Sequence, residues 1–194
     1  MFTIDRAATT NARFSLWLSW VGASALGVLL AFALFLALFT VTGEPPEPLF
    51  PVIMAGVGTL LGAGQQRVLR RVLGRVARWV VATGVGFGLG ITLALIIGEG
   101  DGLLAHMLAG AVHGAGIGVI VGTLQYLVLK PHVANARRWI PASIGAWMLG
   151  AVAAAVTGYF VDGLDILVGP VVAAAASGVA VVRLLLEEAA AGEG

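Results

Sequence analysis

Two histidines in a glycine-rich segment are the residues best suited to hold a metal-centred cofactor. His106 and His113 are two helical turns apart and therefore share one helix face. Neutral imidazole is a common ligand of such centres, and neighbouring glycines leave room for a macrocycle. A haem held by two histidines needs a partner across the bundle, and His132 is predicted in a loop. We favour a structural role, in which His113 bonds a neighbouring helix and His106 lies near the outer end of its own.

Gln65 and Gln125 are polar residues within largely apolar segments, and each lies shortly before a run of basic residues. Their amides can coordinate a polar ligand at the mouth of a helical bundle. They can also bond the backbone or a neighbouring helix, an interaction that contributes roughly 0.6 kcal/mol in membrane proteins. We favour the second interpretation, because glutamines so near lipid headgroups need no separate explanation.

The sequence lacks the residue patterns of the common enzyme classes. It has no cysteine, which excludes disulfides, thiolate metal sites and a cysteine nucleophile. It has no H-E-x-x-H motif and no glycine loop followed by Lys-Ser or Lys-Thr, and its apolar segments contain no carboxylate. We therefore predict a protein that is not an enzyme and has no metal site.

Composition places the chain among membrane proteins. Of its 194 residues, 59% are hydrophobic and only 11% are charged, about half the charged share of soluble domains. A helix of about 20 apolar residues crosses a bilayer with every backbone polar group bonded internally. We predict an all-α integral membrane protein with a single domain over residues 1–194. Its six transmembrane helices are predicted at 14–43, 49–69, 79–98, 103–129, 139–160 and 166–186.

Basic residues indicate how these helices are oriented. All eleven Lys and Arg residues lie before the first predicted span, at the end of the second or in the loop after it, in the loop after the fourth, or at the end of the sixth. The charged residues of the alternate loops are all acidic. Because Lys and Arg near span ends stay in the cytoplasm, we predict cytoplasmic termini in the inner (cytoplasmic) membrane of a bacterium. The expected partners are lipid and either other membrane subunits or further copies of the chain, with no nucleic acid.

The chain repeats itself after sixty residues. Residues 58–90 align with residues 118–150 without a gap, and each unit is predicted to be a helix, a basic turn and a returning helix. Paired glutamine, arginine and tryptophan residues are harder to attribute to chance than paired glycines. The identical pairs include Gly58/Gly118, Gly62/Gly122, Gln65/Gln125, Arg78/Arg138, Trp79/Trp139 and Gly90/Gly150.

A third copy is predicted to be divided between the two ends of the chain. The segment WVGAS at 20–24 resembles WVVAT at 79–83 and WIPAS at 139–143. The sixth helix repeats the start of the second and fourth, with Gly178 aligned to Gly58 and Gly118. Two-helix repeats keep one orientation, so the axis relating them runs along the membrane normal. We predict a pseudo-threefold bundle, with Trp79 and Trp139 at the membrane–water interface.

Glycine recurs at every fourth position of the fourth predicted helix and forms one stripe along it. Without side chains, such a stripe lets another helix backbone approach closely, as small-xxx-small patterns do in lipid. Shorter glycine pairs repeat this feature on the second and third helices. The predicted packing glycines are Gly58, Gly62, Gly86, Gly90, Gly110, Gly114, Gly118 and Gly122.

One family resemblance rests on these repeated residues. The pattern G-x3-G-x2-Q-x2-V-L-[RK], followed by a basic turn and R-W-[VI]-x-A-[ST], resembles repeats in uncharacterised multi-spanning membrane proteins of bacteria. The resemblance covers residues 58–150 fully and the remainder loosely. It implies a membrane-embedded helical fold and carries no activity with it.

Three functions fit the sequence. The preferred one is a structural or accessory subunit of a larger membrane complex, because the glycine faces suit packing and the loops are short. The alternative is a transporter or channel for a small neutral or apolar solute along the bundle axis. A hydrated central cavity lined by Gln65, Gln125, Thr83 and Ser143 would favour transport, whereas a closely packed axis would count against it. The second alternative is haem or chlorophyll-type pigment binding through His113.

Overall fold

The computed structural model describes residues 6–43, 46–74, 76–94, 101–161 and 163–191. Within these ranges 90% of residues are helical and none lies in a strand, so the predicted all-α class is confirmed. Residues 95–98 of the third predicted span lie outside the described ranges. The six described α-helices are α1 (Arg6–Thr42), α2 (Phe50–Leu73), α3 (Trp79–Ala94), α4 (Leu103–Leu129), α5 (Trp139–Phe160) and α6 (Asp165–Ala191).

Four of these helices, α1, α4, α5 and α6, are long and apolar enough to cross a membrane. The most apolar stretch, Asn11–Thr42 in α1, has a mean hydropathy of 2.5. Two helices fall outside this group for different reasons. α2 has glutamines and arginines over its last turns, and the apolar stretch of α3, Trp79–Leu93, is shorter than 18 residues.

The described helices pack as a closed ring. Each helix contacts the next along the chain, and α6 returns to contact α1. The contact is most extensive between α4 and α5 and least extensive between α6 and α1. The interior of the ring therefore receives one face from every helix.

Close approach between α4 and α5 occurs at the glycines of α4. A Cβ atom on Gly118 would lie 2.6 Å from Ile144 Cα, and one on Gly110 would lie 2.9 Å from the Ala151 carbonyl oxygen. Gly114 and Gly122 lie just as close to α5. A larger residue on this face has to push the α5 backbone away.

The α2–α3 hairpin is built in the same way. A Cβ on Gly58 would lie 2.8 Å from the Thr83 carbonyl oxygen, and one on Gly62 would lie 2.8 Å from Thr83 Cβ. Gly86 and Gly90 on α3 instead face α4, where their added Cβ atoms would meet Val121 and Ile117. These glycines therefore determine two successive interfaces around the ring.

The α6–α1 pair has a different register. Gly178 lies against the Trp17 and Trp20 rings. Gly58, which aligns with it in sequence, lies against Thr83 and Phe87, and their counterparts on α1 come one to two helical turns after Trp20. Relative to the aligned α2–α3 pair, α6 is therefore displaced along α1.

Candidate functional site

Three tryptophans meet on the bundle axis, close to the ends where α3 and α5 begin. Trp20, Trp79 and Trp139 are each at most 2% exposed. Their ring centroids are 6.1, 6.1 and 5.8 Å apart, in the tilted and edge-on arrangements that aromatic pairs prefer. The rings of Trp79 and Trp139 lie inside the protein rather than on its surface, and each indole N–H has a polar partner there. Their predicted level at the membrane–water interface stays a prediction.

Gln65 connects one of these tryptophans to a third helix. The indole Nε1 of Trp79 donates to Gln65 Oε1 at 3.1 Å, and Gln65 Nε2 donates to Ser24 Oγ at 3.2 Å. All three side chains are buried. One amide thereby joins α1, α2 and α3.

Gln125 makes the same connection sixty residues later. The indole Nε1 of Trp139 donates to Gln125 Oε1 at 3.0 Å, and Gln125 Nε2 donates to Thr83 Oγ1 at 2.9 Å. This amide joins α3, α4 and α5. Both glutamines therefore bond neighbouring helices, and each uses one of the two hydrogens on its amide nitrogen.

The third tryptophan, Trp20, bonds a serine instead of a glutamine. Trp20 Nε1 donates to Ser177 Oγ at 3.2 Å, and that hydroxyl donates to the Ala174 carbonyl oxygen at 3.2 Å. Ser143 is the counterpart of Ser24 and Thr83 in the aligned segments. Its hydroxyl is buried, at 1% exposure, and makes no hydrogen bond within the described part of the chain. Two connections from a tryptophan through a glutamine amide to a hydroxyl are therefore complete. In the third, the Ser143 hydroxyl has no amide partner among the described residues.

A small cavity lies beside this open position. Its volume is about 10 Å³, roughly the space of a single water molecule. Its polar lining consists of Gln65, Gln125, Thr83, Ser143 and Ser177. A cavity with the predicted polar lining therefore exists, but the tryptophans pack the axis too closely for it to hold a larger solute.

His106 and His113 lie on α4 and do not line this cavity. His113 is half-buried. His106 Nδ1 lies 3.0 Å from the Gly102 carbonyl oxygen, and its ring lies edge-on to Tyr159 with centroids 5.7 Å apart. Among the described residues no three His, Asp or Glu side chains form a group that could hold a metal ion. His132 follows α4 in a turn and does not form a set with the other two histidines.

Several members of the axial network carry little signal in the sequence. Trp20, Ser24 and Ser177 are not predicted to belong to it, because a lone serine in an apolar helix is compatible with many environments. The useful signal is the recurrence of Trp-x3-[Ser/Thr], which places a hydroxyl one turn after each tryptophan. That spacing predicts a shared face but not the partner it meets.

The described part of the chain is all-helical, and four of its helices are long and apolar enough to cross a membrane. No protein-family model matches the chain, and neither a curated protein nor a solved structure matches it. The resemblance to repeated bacterial membrane proteins therefore stays a prediction. Function has to be inferred from the geometry of the described residues.

Proposed function

We propose that this chain is a non-enzymatic integral membrane protein that acts as a structural or accessory subunit of a larger membrane complex. In this proposal all six helices cross the inner membrane of a bacterium, with both termini in the cytoplasm. The helices form three two-helix units around a pseudo-threefold axis. The three central tryptophans and the two equivalent glutamine connections support that symmetry.

The observation that carries this proposal is the exposure of the C-terminal half of α1. No residue of α1 after Ala31 is buried, although the helix continues for eleven residues to Thr42. In the most apolar 18-residue stretch of α1, only 11% is buried inside the protein, whereas 39% of the corresponding stretch of α6 is buried. Leu26, Leu30 and Leu34 lie one turn apart on one face and are all more than half exposed. A face of this kind suits packing against a helix of another subunit.

Transport along the axis has less support. The axial cavity of about 10 Å³ is closed by tryptophans that contact one another. Passage of a solute would require these rings to separate and would break the hydrogen bonds that they donate. Pigment binding has the half-buried His113 in its favour but no second histidine beside it.

The native mass of the protein tests these functions together. The protein is extracted from its own membrane in mild detergent, co-eluting proteins are identified, and an absorption spectrum is recorded on the same peak. We expect a large, defined complex without visible absorbance. Elution alone or as a small homo-oligomer would overturn the subunit proposal and make solute uptake in vesicles the next assay. Absorbance that disappears in His113→Ala would instead establish pigment binding.

Substitution on the α1 face should release the chain from its complex. We expect the triple variant Leu26→Ala, Leu30→Ala and Leu34→Ala to elute at the mass of the isolated chain, because its face stays apolar but loses its packing volume. The matched control is Leu104→Ala, Leu108→Ala and Val112→Ala, which truncates three similarly exposed residues with the same spacing on α4. Equal behaviour of the two variants would show that α1 has no special role in assembly.

A further inference from the structure

We propose that the chain binds an anionic phospholipid in a groove between α5 and α6. The groove has a volume of about 440 Å³. Arg138, Arg183 and the acidic Glu187 line one end, and the remaining wall is apolar and largely small, including Gly145, Leu149 and Ala176. A Cβ atom on Gly145 would meet nothing within 4 Å, so the floor of the groove is open at that point.

The length of the groove matches one leaflet of a bilayer. Arg138, which directly precedes α5, and Leu149 are eleven residues apart, or about 16 Å at the rise of an α-helix. Half of the hydrocarbon core is about 15 Å. The groove therefore extends from the headgroup level to the bilayer centre, as an acyl chain does. A free phosphate would use only the arginine end.

Charge at the open end favours an anionic headgroup. Glu187 lines both this groove and a second one, and its pairing with Arg138 at 2.9 Å offsets one positive charge. Arg183 is exposed between the two grooves, and Arg13 lines the second, so the charge at this end stays positive. A guanidinium binds phosphate through two parallel hydrogen bonds. Basic pockets between membrane helices on the cytoplasmic side commonly hold anionic headgroups. This inference rests on the proposed cytoplasmic position of these arginines, but not on the subunit role.

Lipid retention by the purified full-length chain tests the site. Delipidated protein is incubated with phosphatidylglycerol or phosphatidylcholine, and the retained lipid is counted by native mass spectrometry. We expect phosphatidylglycerol to be retained preferentially and Arg183→Gln to lower its retention about fivefold. Gly145→Leu should abolish retention by filling the groove while leaving every arginine in place.

Arg70→Gln is the matched control, because Arg70 is an exposed arginine of α2 that lines neither groove. An equal loss in Arg183→Gln and Arg70→Gln would replace the site by diffuse attraction to basic residues. Unchanged retention in Gly145→Leu would also overturn the proposal. Either result leaves the native mass of the protein unaffected, so failure of the lipid site is distinct from failure of the subunit role.

A separate observation leads us to infer that one ordered water occupies the axial cavity and bonds Ser143. The Ser143 hydroxyl is buried without a partner in the described chain, and it faces a space of one water. Gln65 and Gln125 line the same space, and each has a second amide hydrogen available. A buried water with two to four polar partners is stable in such a cavity. It takes the place of the missing third amide.

The direction in which Ser143→Ala changes the Tm tests whether this water is present. If Ser143 bonds a water, Ser143→Ala should lower the Tm by about 2–4 °C, as Ser24→Ala should by breaking a bond to Gln65. If the cavity is empty, Ser143→Ala removes an unsatisfied group, and the Tm stays or rises. An unchanged or higher Tm, or a high-resolution map without a peak within hydrogen-bonding distance of Ser143 Oγ, would overturn the inference.

Discussion

Replacement of Gly118 by alanine is expected to lower the free energy of unfolding by about 3 kcal/mol. The new Cβ would lie 2.6 Å from Ile144 Cα and 2.9 Å from the Ser143 carbonyl oxygen. Both are backbone atoms of α5, so no rotamer change relieves the clash and α4 must move away from α5. The loss is measured by titrating the protein from mild detergent into a denaturing one while recording tryptophan fluorescence.

Gly116→Ala provides the control on the same helix. Its Cβ would meet only the end of the Leu93 side chain, at 3.0 Å from Cδ2, and that end can rotate. Both substitutions gain about 1 kcal/mol of helix propensity, so that contribution cancels between them. We expect Gly116→Ala to be neutral or stabilising. If Gly118→Ala were equally benign, the glycine stripe would not determine how closely α4 and α5 pack.

Trp139→Ala is expected to cost about 3–5 kcal/mol, which is typical of removing a buried aromatic side chain. Trp139 is 2% exposed and contacts the rings of Trp20 and Trp79, so its loss opens a void on the bundle axis. It also leaves Gln125 Oε1 buried without its donor, which adds a desolvation penalty. The same detergent titration measures the effect.

Trp147→Ala is the matched control, because Trp147 is two turns further along α5, half-buried, and stacked edge-on against Phe87. Its truncation should cost clearly less. Trp139→Phe should fall between the wild type and Trp139→Ala, since the ring still packs but the N–H is lost. A cost for Trp139→Ala no greater than for Trp147→Ala would show that the tryptophan cluster does not hold the axis together.

Secondary structure and much of the interface chemistry could be predicted from the order of the residues. Long charge-free runs have no stable alternative to helix in lipid, so the six helices could be placed from charge positions alone. A spacing of four residues puts glycines on one face whatever the partner, so the stripe on α4 is evident without knowing that α5 meets it. These features are local, and local spacing is sufficient to predict them.

The partner of each helix face became known only from the packing of the helices. Trp79 sits at the start of its helix, where an interface position and a buried one look alike in sequence; only the meeting of three helices turned its ring inward. Repetition paired the two glutamines, but not with Ser24 or Thr83, since those partners come from other helices. The missing third amide, by contrast, is visible in the sequence, since Leu185 occupies the position of α6 that aligns with the two glutamines. Partner identity is a long-range property that the spacing within one helix does not contain.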